Sequence, residues 1–445
     1  MTPGARVEAA IVLLGEIDKG RSPADDTVAT YFHRHRFAGV QDRAAISGHI
    51  YAVLRHRALL DWWIERAGNG LRPDARKRML AALKLIQRWR PEEMNRACDG
   101  DRFRPGSISN EESAMLAAMP ETEMRHDNMP PEVAGNYPGW LGPQLQAALG
   151  ETMTKEMEAL NGEAALDLRT NTLRTDREKT LAALKREGIG VTLTKLSPLG
   201  LRVFERIPLS TYEIFKKGFI EVQDEASQVA ALLADAKPGM RVVDFCAGAG
   251  GKTLALVASM QNRGHLVACD VSERRLERAT ERLRRAGASI VQRIPLSTER
   301  DKWVKKHADG FDRVFVDAPC SGTGTWRRNP DAKWRLRPKD IEELVVLQAQ
   351  ILDSAQRLVK PGGRLIYATC SLLQEEDEMQ VEKFIATHPE FALKPIGEVW
   401  RETIGGEPPR AGDTLRLTPS HDGTDGFFVA VMERKKLEPK PAAEA

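Results

Sequence analysis

With 445 residues the chain exceeds the usual size of one domain, and 42% hydrophobic residues can supply more than one core. Its 66 Lys and Arg almost cancel 63 Asp and Glu, leaving +3, so any polyanion must be met by local patches instead of bulk charge. No uncharged run approaches the ~18 residues of a membrane span, Glu8 and Glu16 interrupt the first apolar run where a secretory signal would need it unbroken, and five widely spaced cysteines argue against a disulfide framework. A cytoplasmic protein with reduced thiols is expected.

The opening third reads as helix. Val7, Ala10, Ile11, Leu14 and Ile17 recur at helical spacing, as do Ile46, Ile50, Val53 and Leu54 behind a cap at Asp42. A third amphipathic run covers 74–88. From Pro91 to Pro143 the chain turns polar, with "CDGDRFRPGS" and "MPPEVAGNYPGW", and reads as loops and a linker. A helical run over 144–160 then leads to the strand-like "ALDLRTNTL", a helical "DREKTLAALKREG", and the alternating "VTLTKL" and "LRVFE", which together make a small α+β unit.

From about residue 225 strands and helices alternate. The predicted strands are 241–245, 265–270, 311–317, 363–370 and 427–431, with a weaker one at 289–294. Such alternation predicts a mostly parallel sheet covered on both faces, that is, an α/β domain. The last residues, "KKLEPKPAAEA", read as a disordered tail.

The stretch "VVDFCAGAGGKT" joins a strand to a helix through glycines. It falls short of the phosphate loop G-x-x-x-x-G-K-[ST], because Cys246 stands where the first glycine turns the chain around phosphate. Asp270 ends the next strand about twenty residues on, where a carboxylate can accept hydrogen bonds from ribose hydroxyls. A magnesium-phosphate site has no use for that acid. S-adenosylmethionine carries a ribose and no pyrophosphate, so a looser glycine turn suits it. A P-loop ATPase remains the rival reading, and an ordinary strand-end acid is the plain alternative for Asp270.

Two further motifs, "DAPCSGTG" (317–324) and "YATCS" (367–371), each set a cysteine at or just past the C-terminal end of a strand. Ligands bind outside those ends in a doubly wound sheet. Neighbouring strands lie ~4.8 Å apart, so Cys320 and Cys370 are expected to share one cleft. Buried cysteines often merely pack, and Cys269 is read that way; Cys98 carries no reading. Beside a sulfonium methyl donor, a thiolate suits pyrimidine chemistry. Added at carbon 6, it turns carbon 5 into an enamine carbon that can take a methyl; loss of the carbon 5 proton then expels the thiol. The site is expected to lower the thiol pKa. Asp317 can meet the amino edge of cytosine. The basic, tryptophan-bearing "TWRRNPDAKWRLRPK" (325–339) suits phosphates and stacked bases, whereas the arginine-rich 273–285 reads as a salt-bridged surface helix.

"DFCAGAGGKT", "DAPCSGTGTWRRNPDAKW", "ATCSLLQEEDE", "DGFFVAVMER" and "FIEVQDEASQ" resemble the RsmB/NOP/NSUN RNA (cytosine-5) methyltransferases over about residues 140–435. The helical front, with "YFHRHRFAGVQDRAAISGHIYAVLRHR", is similar to the NusB-like domain of the RsmB (Sun/Fmu) branch, which acts on small-subunit ribosomal RNA. The resemblance implies a class I S-adenosylmethionine-dependent (Rossmann-like) domain at 223–435, preceded by an all-α NusB-like RNA-binding domain at 1–135 and a small α+β RNA-binding subdomain at 140–222, with a tail at 436–445. It implies Cys370 as nucleophile, Cys320 as the group that helps release product, and Asp317 beside them. The cofactor is expected at Cys246, Ala247, Gly248, Ala249, Gly250, Gly251, Lys252, Asp270 and Asp317, with no metal. The expected partner is RNA, small-subunit ribosomal RNA first and transfer RNA as the alternative, bound by a monomer. Two departures stand out. Ala249 replaces the family's loop proline, and no acid ends the third strand, Glu299 and Asp301 coming several residues late.

Overall fold

The computed structural model describes residues 1–122, 124–205 and 207–436, so the predicted tail from 437 lies outside the described residues. The chain divides into two compact units. The first comprises Met1–Glu163 and, separately, Trp326–Arg337; the second comprises Ala164–Thr325 and Pro338–Ala445.

The first unit is helical. Pro3–Ile17, Val40–Arg55, Arg57–Ala67 and Ala75–Leu85 turn the predicted apolar faces into a core of Val7, Leu14, Ile46, Ile50, Leu60 and Leu80, each at most 2% exposed. Asp42 is not the cap of its helix. It sits in the first turn and accepts the N–H of the cap residue, Gly39. The predicted linker is also more ordered than its polarity suggests. Pro91–Ala97, Asn110–Ala118 and Pro131–Ala134 are helices. Ser109 and Glu112 cap the second of these reciprocally, and Arg76 clamps Glu112, so polar caps replace the missing apolar period. The helical run at 144–160 is two helices, Gly142–Leu149 and Met153–Asn161, broken at Gly150 where φ is +53°.

The second unit holds two sheets. In chain order, β1 (Leu166–Thr170), β2 (Val191–Leu193), β3 (Gly200–Val203) and β4 (Ile220–Val222) form an antiparallel sheet of order 2-3-1-4. Then β5 (Arg241–Asp244), β6 (His265–Asp270), β7 (Val291–Pro295), β8 (Phe311–Asp317), β9 (Val359–Thr369), β10 (Phe391–Leu393), β11 (Leu415–Leu417) and β12 (Phe427–Arg434) form the large sheet, order 10-12-9-8-5-6-7 with β11 also on β12. Strands β5 to β9 pair parallel, and β12 runs antiparallel against β9. Alternate residues feed two cores: Val242, Phe315 and Ile366 on one face, Val243, Val316 and Tyr367 on the other. Strands β10 and β11, absent from the sequence reading, are three residues each, too short to show a period. The sheet's order reverses at β5, between β6 and β8, which puts the ligand crevice at the carboxyl end of β5.

Candidate active site at the carboxyl ends of the strands

The glycine loop follows β5 directly. Its Ala247 N–H reaches the Cys269 carbonyl at 2.8 Å, and Gly248 and Gly250 take φ of +54° and +80°, which only glycine adopts readily. Gly250 also ends against Ala279, whose Cβ would lie 3.0 Å from any side chain placed there. The helix Gly251–Ser259 then begins. Ala249, where the family has proline, is held from outside. Arg282 donates to the Ala249 carbonyl at 2.8 Å, and buried Arg169 on β1 donates to the Gly251 carbonyl at 3.1 Å. Arg169 on β1 and Arg282 on the helix after β6 thus brace the turn from two sides. Arg282 and Arg285 also pair with Glu221 on β4, so part of the predicted surface helix serves this contact.

Asp270 is buried at the end of β6. Its carboxylate accepts the N–H of Gly248 at 2.8 Å and of Ser272 at 2.7 Å, which fixes its direction at the loop. Asp244, which ends β5, was missed in the sequence. Thr253 donates to one of its oxygens at 2.6 Å, while Oδ1 is buried with no hydrogen-bond donor among the described residues. Burial pushes its pKa up to about 7 against the pull of Thr253. The signal was available: an acid closing a buried apolar strand just before the glycines. After β7, Asp301 caps the helix Lys302–Lys306 and accepts two bonds from Ser297, which hold its pKa near 2. It is committed to the backbone.

Beyond β8 and β9 the two cysteines meet. The register sets Asp317 opposite Ala368, and the Cys320 and Cys370 sulfurs lie 3.4 Å apart. The thiol contact and then burial push the Cys320 pKa well above its ordinary range. Lys252 leaves the glycine loop to pair with Asp317 at 2.6 Å, and its ammonium sits 4.8 Å from the Phe427 ring centre. Burial acts to discharge this lysine; the Asp317 carboxylate outweighs it and keeps the pKa raised. Cys246 is packed beside the core of one sheet face, where burial raises its pKa, and Cys269 lies fully within that core. Glycine loop, Asp270, Asp317, Cys320 and Cys370 therefore converge on one sheet edge.

Part of the basic segment expected to meet RNA is not exposed. The segment Trp326–Arg337 belongs to the helical unit. Trp326 is 1% exposed, and Lys333 is buried with its ammonium on the Asn136 carbonyl and Asn161 side chain. A ring so covered cannot stack on a base, because the packing predicted for RNA is spent on the protein's own core.

Comparison with known proteins agrees with this geometry. Residues 231–433 match the family model "16S rRNA methyltransferase RsmB/F", and 137–210 match the ferredoxin-like domain of RsmF/B-like methyltransferases. The Ribosomal RNA small subunit methyltransferase B of Vibrio vulnificus is 34% identical over 68% of this chain and 68% of its own length. That of Photorhabdus laumondii is 31% identical over 67% of this chain and 66% of its own length. The crystal structure of PH0851 superposes with a TM-score of 0.79 at 27% identity, covering 98% of this chain and 99% of that one. A phosphate-loop ATPase is thereby set aside. A methyltransferase fold, a glycine loop held by the acid that ends β6 and paired thiols at the adjoining strand ends all fall within the matched stretch, and the chain belongs to the RsmB/F methyltransferase family.

Proposed function

We propose that this protein uses S-adenosylmethionine to make 5-methylcytosine in small-subunit ribosomal RNA. The observation that carries the reading is the pair of thiols 3.4 Å apart at the ends of adjacent strands, beside the Lys252–Asp317 pair. The cofactor fits the residues present. The orphaned oxygen of Asp244 and the N–H groups opening the helix at Gly251 suit its amino-acid end, and Asp270 suits its ribose. When bound it supplies a methyl group on a positive sulfur.

The chain supplies the rest. Cys370 adds to carbon 6 of the cytosine, and carbon 5 becomes nucleophilic. Asp317, held by Lys252 through Oδ2, has its other oxygen to accept the cytosine amino group, where uracil would present an oxygen. In the elimination Cys320 gives its proton to the departing Cys370 sulfur and takes up the proton that leaves carbon 5, so the carbon 6–sulfur bond breaks and both thiols are restored. The base must leave its stack to reach these groups.

The test is methyl transfer from labelled cofactor to purified small-subunit ribosomal RNA and to transfer RNA, with bisulfite sequencing of the products. Protected cytosine in the ribosomal RNA is the expected result. Methyl on transfer RNA alone would move the substrate, and methyl on no cytosine carbon would sink the chemistry.

A further inference from the structure

Glu376 lies in the turn Gln374–Glu376 that follows β9, and it is fully buried. It contacts neither cysteine in the role described above, yet it binds both of their loops. One carboxylate oxygen accepts the Ser321 N–H at 2.8 Å and the Gln348 amide at 2.9 Å. The other accepts the Ser321 and Ser371 hydroxyls, each at 2.5 Å. Ser321 follows Cys320, and Ser371 follows Cys370. The hydroxyls of Ser321, Thr323 and Ser371 also lie 3.3 Å from one another, and the Leu372 N–H is bound by Thr323 at 2.8 Å. Tyr367 ties the Glu376 carbonyl back to β9 at 2.6 Å.

A negative charge here does not help to ionise a thiol; it opposes a thiolate nearby and contributes to the raised Cys320 pKa. What Glu376 gives is position. We propose that Glu376 is a positioning residue that fixes the distance between the Cys320 and Cys370 sulfurs by binding both loops through one carboxylate. The role serves the thiol chemistry proposed above and rests on it, but the geometry can be read without RNA. A misplacement of ~1 Å at reacting atoms costs on the order of 10²-fold in rate. A second tie, from the Gly324 N–H to the Cys370 carbonyl at 2.9 Å, still joins the loops when Glu376 is replaced, so variants are expected to fold.

The experiment uses the full chain with Glu376→Ala and Glu376→Gln, the amide keeping the shape and losing the charge. In methyl transfer, Glu376→Ala is expected to lose on the order of 10²-fold in kcat with KM for S-adenosylmethionine unchanged, and Glu376→Gln to recover most of it. In the absence of RNA, diamide takes two electrons and two protons from the thiol pair and closes it from 3.4 Å to a disulfide of about 2.05 Å. That coupling, read by mass spectrometry of the joined peptides, is expected to slow at least about tenfold in Glu376→Ala and little in Glu376→Gln, by the same misplacement argument. If Glu376→Ala does not fold by circular dichroism, Ser371→Ala removes one donor and is expected to slow both readouts in the same direction. Coupling and kcat both at the parent level in the alanine variant overturn the proposal. Slowed coupling in a protein whose parent forms no RNA adduct supports the positioning role and overturns the cytosine chemistry instead.

Discussion

Cys320 and Cys370 are of one residue type at one short distance, so their roles must be separated by chemistry. If Cys370 adds to carbon 6, Cys370→Ala forms no covalent RNA adduct and is inactive. If Cys320 only assists elimination, Cys320→Ala still attacks and transfers the methyl, then stalls as a protein–RNA complex seen as a slow band on a denaturing gel with cofactor present. An adduct trapped in Cys370→Ala would reverse the assignment. Asp270 makes a second test. Its bonds to the Gly248 and Ser272 N–H groups aim it at the loop crevice, and charge-assisted bonds are worth ~1.5–3 kcal/mol each. Asp270→Ala is expected to weaken S-adenosylmethionine binding on the order of tenfold or more by calorimetry, and unchanged affinity would remove this acid from the cofactor site. All three positions were legible in the sequence because each lies at or just past the end of an apolar strand. Glu376 was not, since "QEED" shows only acids in a row and says nothing of which donors face them.

Among the elements, the segment from Trp326 to Arg337 departs from the sequence reading at its buried residues. Six basic residues and two tryptophans in "TWRRNPDAKWRLRPK" look like an exposed RNA stripe. In the fold Asp331 accepts the Ala24 N–H at 3.0 Å, at the start of the helix Ala24–Arg34, and Arg55 donates to the Arg327 carbonyl at 2.7 Å. Lys333 is enclosed near the Trp326 and Trp334 rings, and burial, with Arg55 adding, pushes its pKa down to about 7. The unfolded value is about 10.4. Between the two, the unfolded chain holds a proton that the folded chain does not, so this group makes stability rise with pH across that window. The expected result is a melting temperature that gains from pH 7 to pH 9 through this group, and a smaller gain in Lys333→Met. An identical gain in the variant would mean that the lysine is charged when folded.

For the molecule as a whole, the chain leaves the α/β unit at Thr325, contributes a piece to the helical unit, and returns at Pro338. A chain begun at residue 164 keeps the glycine loop, Asp270, Asp317 and both cysteines, and is expected to bind S-adenosylmethionine. It lacks every helix that covers Trp326 and Lys333. Trypsin is therefore expected to cut it at Arg327, Lys333 or Arg335 while sparing those bonds in the full chain, and resistance in both would show that the segment folds without its helices. If the helical front docks RNA, the shortened chain also loses RNA affinity. The RNA affinity of the full chain is expected to fall with salt as Lys and Arg release counterions.

The sequence by itself determined the parts whose signal is local. Strand-length apolar runs ending in acids, glycines where φ must be positive, and cysteines one to three residues past strand ends depend only on neighbours along the chain, and they located β5, β6, β8, β9 and the loop between β5 and its helix. Family resemblance, also a sequence property, is the ground for expecting different roles of the two thiols. Tertiary structure alone decided what depends on distant partners. It showed that Arg169 and Arg282 brace the glycine loop at the Gly251 and Ala249 carbonyls, that one carboxylate at Glu376 gathers two loops, and that Trp326, Arg327 and Lys333 of the basic tryptophan segment are buried. The physical reason is common to all three. A charged or aromatic side chain reads as surface until its buried partners are known, and most of those partners lie dozens to hundreds of residues away.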